Sequence, residues 1–276
     1  MKRMLSNILI TLALGYAILV ALVFALQSRL IYFPDTVIAV TPQAYGLVYE
    51  DVRIRTDDGE TLSAWLIQSP APRGAVLLFH GNAGNISHRI EYAKMFQGLG
   101  YSTLLVDYRG YGASTGSPSE EGTYRDAAAS WRWLTETRGV KPADVVIFGE
   151  SLGGGVATWL AAKHAPRALV LASTFTSATD LASQIYPFLP VRLISRYRYE
   201  SLGRVSKMSV PVFIAHSPQD EIIPYAHGRR LFDAAREPKT FLEMRGGHNE
   251  GFVFAREEWV KALAAFLNDA LIMIHK

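Results

Sequence analysis

The residues able to do chemistry concentrate in three short, glycine-rich loops. The first reads GESLG at 149–153, directly after the apolar run VVIF and running into LGGGVATWLAA from Leu152. A serine between two glycines, set between a buried strand and a helix, describes a tight turn that thrusts its hydroxyl out of the backbone. The helix amino terminus behind it favours developing negative charge. A phosphate-binding loop is the competing reading, and it fails because neither G-x-x-x-x-G-K-[ST] nor G-x-G-x-x-G occurs. Ser151 is therefore the candidate nucleophile.

A serine hydroxyl attacks poorly unless a base takes its proton, and the base needs a carboxylate to orient it. In a turn of this kind the acid and then the histidine follow the serine, each in a loop after a later strand. HSPQDE at 216–221 follows the run VFIA, and RGGHN at 245–249 follows TFLEM. Asp220 is the candidate acid, with Glu221 as its rival, and His248 is the candidate base. Of the seven histidines, only His248 lies beyond the acid in a glycine-flanked loop. His164 and His227 read as surface residues of helices, His275 as a terminal residue, and His216 as a packed histidine ending a strand. The third loop, HGNAGN at 80–85, follows the run AVLLF. The backbone amides of Asn82 and Leu152 are the candidate oxyanion donors, one such donor being worth about 3 kcal/mol. His80 reads as structural. The sequon at Asn85 is discounted because a glycan there would block the loop.

These loops need a scaffold that brings three distant segments to one edge. Residues 48–55 and 61–68 alternate apolar and polar around a D-G turn, which predicts a hairpin. From residue 75 the pattern changes to six continuous apolar runs at 75–79, 102–106, 145–148, 168–172, 212–215 and 240–244. Such runs imply strands buried on both faces, hence parallel and joined by crossover helices. The expected fold is an α/β doubly wound, eight-stranded, mostly parallel sheet. Ser117 to Glu120 predicts a capping box with Pro118 at the first helical position and Gly139 closing that helix. Residues 256–267 predict a second amphipathic helix, and 271–274 its packed end. Between about 175 and 205 the rhythm breaks at YPFLP and RYRY, which predicts a short cap over the carboxyl edge of the sheet.

Residues 8–26 are apolar throughout, and no charge lies between Arg3 and Arg29. Roughly 19 helical residues at ~1.5 Å each approach the ~30 Å hydrocarbon core of a bilayer. An uncleaved anchor is preferred to a removed signal peptide, although Val23-Phe24-Ala25 resembles a weak cleavage site. The expected organisation is an anchor and juxtamembrane segment over 1–34 and a folded domain over 35–276. Lys2 and Arg3 outweigh Arg29, which places the amino end in the cytoplasm and the domain outside, in the periplasm of a bacterium. The absence of cysteine excludes disulfides, a cysteine nucleophile and thiolate metal sites. A net charge of +3 without a long basic run argues against nucleic acid as a partner.

QSRLIYFP at 27–34, HGNAGN at 80–85, DYRGYGASTGSPSEEG at 107–122, GESLGG at 149–154 and HSPQDEIIP at 216–224 resemble the Bem46-like α/β hydrolases of the ABHD12, ABHD13 and ABHD17 types. The resemblance runs through nearly the whole chain, and the DYRGYG segment is its most specific part. It implies the α/β-hydrolase fold, a Ser151–Asp220–His248 triad, and Asn82 and Leu152 as oxyanion donors. It also implies ester or thioester cleavage, since the group holds lysophospholipid hydrolases and protein depalmitoylases. Arg109 and Tyr111 are expected to brace the loop beside the nucleophile. Neither a metal nor an organic cofactor is implied. The anchor and the aromatic cap favour acyl-chain or lipid-derived substrates over small soluble esters. The alternatives are a serine peptidase, a non-catalytic membrane-anchored scaffold, and a receptor for a small acyl ligand.

Overall fold

The computed structural model describes residues 2–274. Every apolar run becomes a strand: β1 Tyr49–Arg55, β2 Thr61–Ile67, β3 Ala75–Phe79, β4 Ser102–Val106, β5 Val145–Glu150, β6 Ala168–Ala172, β7 Val212–His216 and β8 Lys239–Glu243. They form one sheet in the order β8-β7-β6-β5-β3-β4-β2-β1. β2 runs antiparallel to both neighbours, β1 and β4. The other pairings are parallel. The D-G turn closes the β1–β2 hairpin with Gly59 at φ 95°, a conformation that favours glycine.

The helices are α1 Lys2–Ile31, α2 Ile90–Gly98, α3 Glu120–Arg132, α4 Leu152–Ala161, α5 Ala178–Ile185, α6 Val191–Ile194, α7 Leu202–Val205, α8 Tyr225–Ala234 and α9 Glu257–Ile274. The period of two along each strand sorts side chains between two apolar layers. On β3, Ala75, Leu77 and Phe79 join the layer containing Tyr124, Val156, Leu160 and Leu231 of α3, α4 and α8. Val76 and Leu78 join the opposite layer, with Ile90 and Phe96 of α2 and Trp259 and Leu263 of α9. Both faces are thus covered, as continuous apolar strands require. Between β6 and β7 the expected cap appears as the short helices α5, α6 and α7.

Two expectations need correcting here. α3 begins at Glu120 with Ser119, not Ser117, as its cap, accepting from the Gly122 amide at 3.0 Å. The third helical residue is then Gly122, which has no side chain to complete a capping box, and the Glu120 carboxylate serves another purpose. It accepts from the Tyr124 hydroxyl at 2.7 Å and from the Arg198 and Tyr199 amides at 2.6 and 2.8 Å, tying α3 to the cap. The chain then passes through a π-helical turn, Trp133–Thr137, before Gly139 turns it at φ 70°.

His227 is the second. It is not a surface residue but lies 1% exposed on the inner face of α8, its Nδ1 accepting from the Thr176 amide at 3.2 Å. Burial and then Arg230 push its pKa down from 6.5 to about 4. A neutral imidazole in the fold means that only the unfolded chain takes up a proton as pH falls from 6.5 towards 4. Stability should therefore be flat above that window and fall across it, by no more than about 3 kcal/mol. Urea unfolding of His227→Gln should show a shallower acid limb than the parent. Parallel limbs would contradict the assignment. His275 lies outside the described residues.

Candidate active site

Ser151 sits between the end of β5 and the start of α4 with φ 52° and ψ −118°, a strained conformation for a side-chain-bearing residue. The surroundings over-determine it. Its amide donates to the Ala172 carbonyl at 3.0 Å, and its carbonyl accepts from Thr174 Oγ1 at 2.6 Å and from the Gly154 amide at 3.0 Å. The flanking glycines are steric requirements. A Cβ at Gly149 would strike the Gly153 carbonyl, and one at Gly153 would strike that of Phe79. The turn therefore packs directly against the end of β3.

The loops after β7 and β8 bring Asp220 and His248 to this turn. His248 Nδ1 lies 2.8 Å from Asp220 Oδ2, and its Nε2 lies 3.1 Å from Ser151 Oγ. The side chain of Asp220 is fully buried. Burial alone would raise its pKa, but hydrogen bonds from His216 and His248, with the Ile223 amide, hold it well below the usual carboxylate range. An ionised carboxylate only accepts, so Nδ1 carries the ring proton and Nε2 faces the serine as an acceptor. The other Asp220 oxygen accepts from the Ile222 and Ile223 amides at 3.0 and 2.7 Å. Glu221, the rival acid, instead accepts from the backbone amide of His248 at 3.0 Å, which positions the loop rather than the ring. His216 is packed as expected, donating from Nε2 to the Ile223 carbonyl at 2.9 Å.

The HGNAGN loop closes over the same point. A Cβ built on Gly81 would lie 3.5 Å from Ser151 Cβ. The Leu152 amide opens α4, where a helix has no internal acceptor to offer it. The Asn82 carbonyl is held by the Phe33 amide at 2.9 Å and the Tyr111 hydroxyl at 2.7 Å. Tyr108 donates to the His80 carbonyl at 2.9 Å. Arg109 joins Asp126 at 2.8 Å and Asp58 at 2.7 Å. Both Arg109 and Tyr111 thus brace the loops, as the sequence suggests. Asn85 is buried and spends its side-chain amide on the carbonyls of Asp35 and Val37, at 3.0 and 2.8 Å. That leaves its nitrogen inaccessible to a glycan for a reason the sequence does not contain.

One part of the site escapes the sequence reading. A cavity of about 500 Å³ opens on Ser151, within the range of ligand pockets. Its wall includes Val23, Gln27, Ile31 and Phe33 from the apolar helix and the segment after it, facing Leu181 and Ile185 of the cap. The Asn82 side-chain amide donates to the Ile31 carbonyl at 2.9 Å, and Phe33–Pro34 pair with Ala83–Gly84 as a short parallel ladder. Arg89 and Glu150 add an ion pair at 2.8 Å to the polar end of the cavity. The one available signal was Gln27, a glutamine closing an apolar helix and 7% exposed here. Among the described residues no group of three or more His, Asp or Glu converges as a metal site would.

The alpha/beta hydrolase fold family matches residues 74–236, more than half of the chain, and the protein belongs to that family. An uncharacterised protein of Mycobacterium tuberculosis strain H37Rv is 39% identical over 256 residues, covering 91% of this chain and 90% of its own. The lysophosphatidylserine lipase ABHD12 of Danio rerio is 36% identical over 198 residues, covering 64% of this chain and 50% of its own. Among solved structures, a Pyrococcus furiosus esterase superposes with a TM-score of 0.72 at 19% identity, covering 87% of this chain and 98% of that one. The alpha/beta hydrolase domain-containing protein 17B of Homo sapiens, 30% identical over 228 residues and covering 79% of this chain and 75% of its own, is a relative within the Bem46-like group that the motifs resemble.

Proposed function

We propose that the protein is a membrane-anchored serine hydrolase that cleaves carboxylic ester or thioester bonds of acyl-chain substrates through an acyl-enzyme. The observation that carries this reading is the continuous line from Ser151 Oγ through both nitrogens of His248 to Asp220, at 3.1 and 2.8 Å. His248 Nε2 takes the Ser151 proton as Oγ attacks the carbonyl carbon. The carbonyl oxygen becomes an oxyanion held by the Asn82 and Leu152 amides. As the tetrahedral adduct collapses, His248 returns the proton to the departing alcohol or thiol. Water, deprotonated by the same nitrogen, then releases the acid. Asp220 keeps the proton on Nδ1 and stays ionised.

The apolar cavity wall supports an acyl chain as the group bound, and the zebrafish relative, a lysophosphatidylserine lipase, supports a lipid-like substrate class. α1 is long and apolar enough to cross a membrane. With Lys2 and Arg3 at its start, the positive-inside rule keeps that end cytoplasmic and sets the hydrolase outside.

The test is p-nitrophenyl ester hydrolysis from acetate to palmitate by the full chain, with the two acids exchanged separately. Asp220→Asn should lose roughly 10⁴-fold in kcat, because it inverts the imidazole tautomer. Glu221→Gln should lose less than about tenfold, since it removes only a positioning bond. Comparable losses in both variants would reopen the choice of acid. No turnover by the folded parent on any ester would sink the reading itself.

A further inference from the structure

We propose that the cap segment between α5 and the end of α6 is seated in the lipid leaflet beside α1, so that the cavity opens to hydrocarbon. A single-chain acyl ester would then reach Ser151 from the bilayer without crossing water. The inference rests on reading α1 as membrane-spanning.

The cap climbs along α1. At its base, Gln27 binds two cap groups, donating to the Ile194 carbonyl at 2.7 Å and accepting from the Arg196 amide at 2.8 Å. At its tip, the Tyr16 hydroxyl donates to the Phe188 carbonyl at 2.8 Å. Gln27 and Tyr16 stand three helical turns apart, about 16 Å along the axis. That is half of the ~30 Å hydrocarbon thickness, the depth of one leaflet. If the apolar run of α1 spans the bilayer, its tie to Phe188 carries the cap tip to the same depth.

The surface of that tip suits lipid rather than water. Phe188 is 62% exposed and Leu193 88% exposed, with Ile185 and Tyr186 nearly half exposed beside them. Four large apolar side chains within nine residues, next to an exposed apolar helix, exceed the scattered singles of an aqueous surface. Cations mark the base instead. Arg196 lies 5.0 Å over the Phe24 ring and Arg29 stands in the last turn of α1, where such side chains meet headgroups. Arg192, next to Leu193, is paired with Asp180 at 3.0 Å.

Irregular backbone is tolerated at membrane depth only if its polar groups are satisfied. This segment meets much of that demand. Pro187 and Pro190 bring no amide hydrogen at all. The amides of Tyr186, Leu189, Val191, Leu193 and Ile194 are all bonded to carbonyls between Ala182 and Pro190, and Tyr16 takes the Phe188 carbonyl. The cavity lies between this segment and α1, lined by Leu30 and Val23 on one side and Leu189 and Ile194 on the other, with Ser151 at its polar end. A tail lying along α1 in the leaflet would therefore place its ester near the headgroup level, at the serine.

The chain has no cysteine, so a single one can be labelled without ambiguity. The full chain carrying Phe188→Cys with an NBD fluorophore would be reconstituted in phosphatidylcholine vesicles with and without doxyl-labelled lipid. Val48→Cys, on a residue 83% exposed immediately before the edge strand β1, is the control. The expected result is a blue-shifted, doxyl-quenched signal at 188 and an unquenched, water-like one at 48. A water-like, unquenched signal at 188 overturns the proposal whatever the activity. In parallel, Leu193→Glu should lower turnover of a palmitoyl ester held in the vesicles roughly tenfold or more while leaving soluble butyrate turnover unchanged. Equal turnover of the vesicle-borne ester would also overturn it. Lipid contact at 188 with ester hydrolysis indifferent to Ser151→Ala would refute the hydrolase reading and leave the seat of the cap standing.

Discussion

Ser151→Ala should lower kcat/KM for p-nitrophenyl butyrate by roughly a thousandfold or more, with no loss of thermal stability. Oγ is the atom that would form the acyl bond, and it is the hydroxyl that His248 Nε2 faces. What survives in the mutant would be the contribution of the Asn82 and Leu152 amides and of substrate binding, which persists in such enzymes when the nucleophile is removed. His248→Ala should fall to about the same level, and the double variant should fall no further, because the two groups act as one unit. The serine's backbone is fixed by Ala172, Thr174 and Gly154, so the fold does not depend on the hydroxyl. Covalent labelling by a fluorophosphonate probe should disappear with the same substitution. A mutant that keeps more than about a tenth of the parent's rate would remove Ser151 from the proposed mechanism.

Deleting residues 2–34 should cost about a hundredfold or more on the same soluble ester, although that substrate needs no membrane. The deletion strips Val23, Gln27, Leu30, Ile31 and Phe33 from the cavity wall. It also removes the Phe33 amide that holds the Asn82 carbonyl, and the Ile31 carbonyl that receives the Asn82 side chain. A loop freed to shift by about 1 Å misplaces its oxyanion donor, and displacements of that size cost on the order of 10²-fold. A deletion ending at residue 19 keeps all of these contacts and should retain most of the parent's butyrate activity. Thermal unfolding of both proteins separates lost catalysis from lost folding. Equal activity in the two truncations would show that the apolar helix is a tether alone.

The sequence alone determined the sheet and the two loops that meet the serine. Continuous apolar runs leave no face for water, so their parallel packing follows from hydrophobicity. The glycines around Ser151 announce a turn that tolerates no Cβ. The same local logic failed where a side chain serves a distant partner. Glu120 reads as half of a capping box because its neighbours are visible, whereas the cap amides it accepts from lie 78 and 79 residues away in sequence. His227 reads as exposed because its helix is polar on average, yet the face that turns inward is the one that meets Thr176.

The choice between Asp220 and Glu221 belongs to neither level alone. The sequence favours Asp220 and keeps its neighbour Glu221 as a rival, and the fold points one carboxylate at the ring and the other at the backbone of His248. The first thirty residues are the clearest division. Their composition determines a helix fit for a bilayer, since hydropathy is a local property summed along one segment. That this helix also walls the cavity and braces the Asn82 loop was decided by tertiary structure. A single buried glutamine and a few backbone hydrogen bonds join segments far apart in the chain, and such pairings leave no periodic trace in it.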